Sequence, residues 1–130
     1  MGRFLVGEET ALLSGRRAKC KDLGPWEDLA CAAELLAEQG LICPYTLDVF
    51  IGVALEELIE GARHMYQKRV SALALEVGWA EAGAPPPDDW RHDWFRTLWS
   101  ADLRFDSLET FWLEATKARQ AGLAVAFDGD

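Results

Sequence analysis

From Thr46 to Gly78 the chain carries one long helical pattern, and nothing else in the sequence restricts the fold as strongly. Leu47, Ile51, Ala54, Leu55, Leu58, Ala62 and Met65 recur at three- and four-residue spacing, and Tyr66, Val70, Leu73 and Val77 extend the stripe with slight drift. Thr46 suits an N-cap, and Asp48 falls in the first turn. Gly52 and Gly61 each cost about 1 kcal/mol relative to Ala inside a helix, but neither forces a stop before Gly78. The opening, LDVFIGVAL, is apolar nearly all round and partly β-branched, so residues 47–55 also fit a strand. Length favours the helix.

A second helix is marked out by its punctuation in GPWEDLACAAELLAEQG, residues 24–40. Pro25 suits its first turn, Glu27 and Asp28 complement the positive end of its dipole, and Gly40 offers an exit cap. Leu29, Ala32, Ala33, Leu36 and Ala37 form its apolar face. Pro44 then pushes Cys43 out of the helical region.

Three consecutive prolines in EAGAPPPDD, residues 81–89, make a stiff connector. Two more helices are expected beyond it. DDWRHDWFRTLW is capped by Asp88 or Asp89, and in DSLETFWLEATKARQAG Asp106 and Glu109 have capping-box spacing, with Gly122 at the exit. LAVAF, residues 123–127, reads as a short strand that can pair with RFLV near the N-terminus.

The expected fold is therefore mainly α: a small helical bundle with one long central helix, two aromatic-rich C-terminal helices after a Pro-rich link, and room for a short terminal β ribbon. A single domain over residues 1–130 is expected. It divides into a helical front segment (residues 1–80), the connector (residues 81–89) and an aromatic module (residues 90–130). The stripe on the long helix is wide enough to serve a homodimer seam as well as a core.

Half the residues are apolar and 27% are charged, which is the balance of a globular chain. No apolar run approaches the roughly 20 residues that span a bilayer, and MGRFLVGEETALLSG lacks the pattern of a secretion signal, so a cytoplasmic location and no membrane partner are expected. Cys20, Cys31 and Cys43 contain no Cys-x-x-Cys pair, which gives neither a disulfide framework nor a zinc site; Cys31 reads as a small buried hydrophobe. The net charge of −9 opposes direct binding to nucleic acid and favours a partner with a basic surface. The basic run RRAKCK, residues 16–21, lacks the aromatic interleaving of a nucleic-acid patch and reads as a solvated loop.

The catalytic candidates cluster in EELIEGARH, residues 56–64. Glu56, Glu57, Glu60 and His64 share about a quarter-turn of one helix face, beside Arg63, Gln67 and Lys68. This is the arrangement of a solvated face laced with i,i+4 pairs such as Glu60 with His64. Glu57 and Glu60 resemble the first Glu-x-x-Glu half of the Mg²⁺ site in all-α NTP pyrophosphatases, a family whose second half, a Glu-x-x-Asp helix, has no counterpart downstream here. His64 and His92-Asp93 resemble the opening elements of HD-type phosphohydrolases, although this His-Asp pair lies in the charged stretch DDWRHDW instead of after an apolar run. His92 by itself reads as a surface histidine.

Tryptophan is the more unusual feature. Of six, four lie between residues 90 and 112: Trp90, Trp94, Trp99 and Trp112. An aromatic stripe of this kind serves either a core or a contact surface; Arg91, Arg96 and Arg104 interleave with it, and Trp and Arg are the residues most enriched at binding hot spots. The leading expectation is a non-catalytic, acidic protein-binding factor: an inhibitor, an immunity-like factor or an assembly adaptor. Its contact residues would be Trp90, Arg91, Trp94, Phe95, Arg96 and Trp99, with no cofactor and no metal. The alternatives are a metal-dependent all-α nucleotide phosphohydrolase using Glu57, Glu60 and His64, and a nucleic-acid mimic.

Overall fold

The computed structural model describes residues 2–76 and 103–129. Four strands form one antiparallel sheet: β1 (Arg3–Gly7), β2 (Lys21–Asp22), β3 (Leu47–Phe50) and β4 (Ala124–Asp128), in the order β2-β1-β4-β3. The described helices are α1 (Glu9–Leu13), a 3₁₀ turn at Arg17–Lys19, α2 (Trp26–Glu38), α3 (Val53–Glu76) and α4 (Leu103–Gln120). The fold is thus mixed α and β, and the mainly α expectation is corrected. The terminal ribbon is real, with Phe4 opposite Phe127 and Val6 opposite Val125, but it is the centre of a sheet and no mere appendage to a bundle.

The physical reason lies at Gly52. Its φ of 60° is left-handed, a conformation that glycine adopts without steric penalty and that ends a right-handed helix. The long pattern therefore divides into β3 before Gly52 and α3 after it. Leu47 and Ile51 do not belong to the helical stripe at all. From Leu55 onward the stripe behaves as its spacing implies, because Leu55, Leu58, Ala62, Tyr66 and Val70 are buried within the same chain. Thr46 caps no helix; its carbonyl accepts a 3.0 Å bond from the Gly129 N–H, continuing the β3–β4 ladder.

Helices α2, α3 and α4 pack on one face of the sheet, and α1 lies on the other. Helix α4 lies between α2 and α3 and contacts both extensively, so these two do not form the hairpin that sequence order implies. Phe111 and Leu108 of α4 are fully buried, and Phe111 stacks obliquely on Phe4 at 4.8 Å between ring centres. Trp112 meets Tyr66 of α3 edge-on at 4.8 Å, which makes this tryptophan a core residue. Buried Ser107 fastens α4 to α2: its hydroxyl accepts from the Ala32 N–H at 2.9 Å and donates to the Asp28 carbonyl at 2.8 Å. Those two groups are one turn apart on α2, so Ser107 bridges a pair that an ordinary helix would join directly.

The opposite face of the sheet carries a smaller cluster, Leu5, Leu12, Ala124 and Ala126, with Leu47 and Val49 packed against it. Among the described residues no helix is long and apolar enough to cross a membrane.

Candidate functional site

Helix α2 presents two rows of side chains. Leu29, Ala32, Leu35 and Leu36 enter the core. The neighbouring row, Trp26, Ala30, Ala33 and Ala37, steps by four, three and four residues along one face. Alanine at three of those places leaves a depression where leucine would have filled the space. Gly2, Pro44 and Phe127 complete the walls, and the result is an open trough of about 470 Å³ lined mainly by carbon. Trp26 and Phe127 both line it, their rings tilted at 37° with centres 6.5 Å apart.

The rim is acidic. Glu34 and Glu38 stand exposed along α2 and line the trough. Arg104 of α4 donates to both carboxylate oxygens of Glu38, at 2.9 and 3.1 Å, and lies 3.6 Å from Glu34. Among the described residues, one guanidinium against two carboxylates leaves the rim with an excess of negative charge.

Beside Pro44, the loop from Cys43 to Asp48 is held by its own polar groups. The Cys43 N–H donates to Oδ2 of Asp48 at 2.6 Å. The Cys43 thiol is held below its usual pKa, chiefly by a hydrogen bond from the Thr46 hydroxyl and then by the backbone of Tyr45. Cys20, Cys31 and Cys43 are all free thiols and half-buried, so Cys31 is less enclosed than its apolar neighbours in the sequence imply.

The acidic cluster of α3 has a different character. Glu56, Glu57, Glu60, Arg63, His64, Gln67 and Lys68 are all exposed. Glu60 pairs with Arg63 at 3.1 Å, and Glu56 pairs with Arg119 of α4 at 2.7 Å beside a small polar notch that includes Thr116 and Gln120. Among the described residues, no group of three or more His, Cys, Asp or Glu side chains is placed to hold a metal ion. The arrangement is that of a wet helix face.

Trp90, Arg91, Trp94, Phe95, Arg96 and Trp99, together with His92-Asp93 and the Pro-rich connector, lie outside the described residues. The trough was not anticipated from sequence. Its only signal there is the small-residue row of WEDLACAAELLAE, and small residues on a helix face more often mark close packing than an opening. No family model, curated protein or solved structure matches the chain.

Proposed function

We propose that this chain is a non-catalytic protein-binding factor that accepts an amphipathic, basic segment of a partner protein in the α2 trough. The observation that carries this reading is an apolar depression bordered by Glu34 and Glu38 on a chain of net charge −9. An apolar side chain of the partner would fill the space over Ala30, Ala33 and Ala37, while flanking Lys or Arg would meet the glutamates. Apolar contact supplies most of the affinity in such a site, and charge supplies orientation and speed of encounter. An inhibitor, an immunity-like factor or an assembly adaptor would all work in this manner. The aromatic segment around Trp94 and Trp99 is retained in the proposal as a second contact region.

The test is capture of a partner from a lysate of the cells that encode the protein, followed by titration with the purified partner. Ala37 is half-buried and lines the trough, so Ala37→Arg fills and recharges the site; because Ala37 also packs against the core, an unchanged urea midpoint accompanies the test. The expected result is a partner lost with Ala37→Arg, and bound more weakly as salt screens the rim. A partner that still binds Ala37→Arg but is lost with Trp94→Ala would place recognition on the aromatic segment and dismiss the trough.

A further inference from the structure

The two edges of the sheet are protected very differently. Strand β2 ends one side with only Lys21 and Asp22, both charged and exposed, which is a common way of blunting an edge. Strand β3 ends the other side with Leu-Asp-Val-Phe. The bond from the Gly129 N–H to the Thr46 carbonyl shows which β3 residues face β4. With Thr46 opposite Gly129 as a bonded pair, Asp48 opposite Phe127 and Phe50 opposite Val125 are bonded pairs too. The N–H and C=O groups of Leu47 and Val49 therefore point outward, away from the sheet.

Exposed apolar side chains flank β3 along the chain. Among the described residues, five large hydrophobics are exposed: Leu13, Tyr45, Ile51, Val53 and Leu113. Tyr45 precedes β3, Ile51 and Val53 follow it, and Leu13 ends α1, the short helix that packs across β3 and β4. Among the described residues nothing pairs with this backbone edge, and an edge flanked by such side chains is a template for a further strand.

The geometry points to a second copy of this chain as that strand, joined edge to edge about a two-fold axis that passes beside Val49. Register selects this arrangement. A two-fold axis perpendicular to the sheet keeps each face on its own side and must pair outward-facing residues with one another. Centring on Asp48 sets two carboxylates against each other in a closely spaced, non-bonded pair, and like charges there are destabilising. Centring on Phe50 uses only Val49 and Ile51 for backbone bonds. Centring on Val49 pairs Val49 with its own copy and Leu47 with Ile51, places Asp48 beside Phe50, and allows up to six backbone hydrogen bonds. The product is a continuous eight-stranded sheet, β2-β1-β4-β3 followed by its two-fold image.

Area and charge set the strength. Strands this short make a small interface, below the roughly 1,200–2,000 Å² of standard stable ones, and a weak dimer with Kd of about 1–100 µM is expected. Each copy carries a net charge of −9, so the copies repel at long range. Salt shortens that repulsion from about 10 Å at 0.1 M and therefore tightens the dimer. This is the reverse of the salt response expected for a basic partner in the trough, so the two associations are separable.

Sedimentation velocity on the full chain, from about 5 to 500 µM, tests the assignment across the expected Kd range. The wild type is expected to pass from monomer to dimer, and to do so at lower concentration in 0.5 M than in 0.05 M salt, where the Debye length is between about 10 and 30 Å. Ile51→Lys places charge on an exposed position, and Val49→Pro removes one outward N–H on an edge strand that tolerates proline. Both are expected to remain monomeric, at least tenfold weaker than wild type, with the far-UV spectrum of the parent. If Val49→Pro does not fold, Ile51→Lys alone decides. A wild type that stays monomeric at the highest concentration, a dimer unaffected by Ile51→Lys, or one that loosens with salt would overturn the assignment.

Discussion

Replacing Gly52 by alanine gives opposite signs for the two ways of reading residues 46–55. If the segment were one helix from Thr46, a methyl group at 52 would improve helix propensity by about 1 kcal/mol. In the structure Gly52 sits at φ 60°, between β3 and α3. No atom lies within 4 Å of a Cβ built there, so packing contributes nothing and the effect comes from the backbone alone. Holding a residue with a Cβ in the left-handed region costs about 1–2 kcal/mol. The stiffer unfolded chain offsets roughly 0.4–1 kcal/mol of that. The expected net loss is about 1 kcal/mol, some 2 kcal/mol away from the single-helix value. Urea unfolding followed by far-UV circular dichroism measures it as a lowered midpoint at unchanged slope, and heating as a fall of about 3–5 °C. Gly52→Asn should lose less than Gly52→Ala, because asparagine tolerates this region better. A raised midpoint for Gly52→Ala would refute the left-handed junction, and with it the separation of β3 from α3.

Two further outcomes follow from named contacts. Ser107→Ala removes the hydroxyl between the Ala32 N–H and the Asp28 carbonyl, and should cost about 1–2 kcal/mol in the same urea assay; no measurable change would mean that α2 closes its own bond and the bridge contributes nothing. Cys43 should be alkylated with a pH midpoint below the ordinary thiol value of 9.0, and Thr46→Val should move that midpoint upward; peptide mass spectrometry after timed iodoacetamide treatment reads both. Because the folded thiol has the lower pKa, its contribution to stability is fully present above the unfolded pKa and is lost as pH falls through the folded one. A midpoint at or above the ordinary value would remove the Thr46 hydroxyl from this account.

Where local chemistry is unambiguous, the elements follow it closely. Helix α2 begins at Trp26 after Pro25 and gives way to Gly40 at φ 72°; α4 is followed by Gly122 at φ 73°. Strands β1 and β4 form at the two short apolar runs RFLV and LAVAF. The α3 stripe from Leu55 to Val70 and its solvated face from Glu56 to Lys68 are both plain in the spacing. Each of these depends on residues within one turn or one strand of each other, which is the range over which periodicity, capping and turn preferences act.

Three features required the tertiary structure. LDVFIGV fits a strand as well as a helix and the length of the pattern favours the helix, but the edge of β4 decided for the strand by offering Leu47–Phe50 a ladder. Strand β2 is two charged residues long and exists only because β1 lies beside it. The trough exists because α4 and the sheet cover one row of α2 and leave Ala30 and Ala37 half-exposed, with Ala33 buried at its floor, beside Pro44 and Phe127. Propensity and spacing belong to the chain itself, so sequence determined the helix caps, the apolar stripes and the two terminal strands. Pairing at a sheet edge and space left uncovered depend on which distant segments meet, and that was settled only when the chain closed on itself.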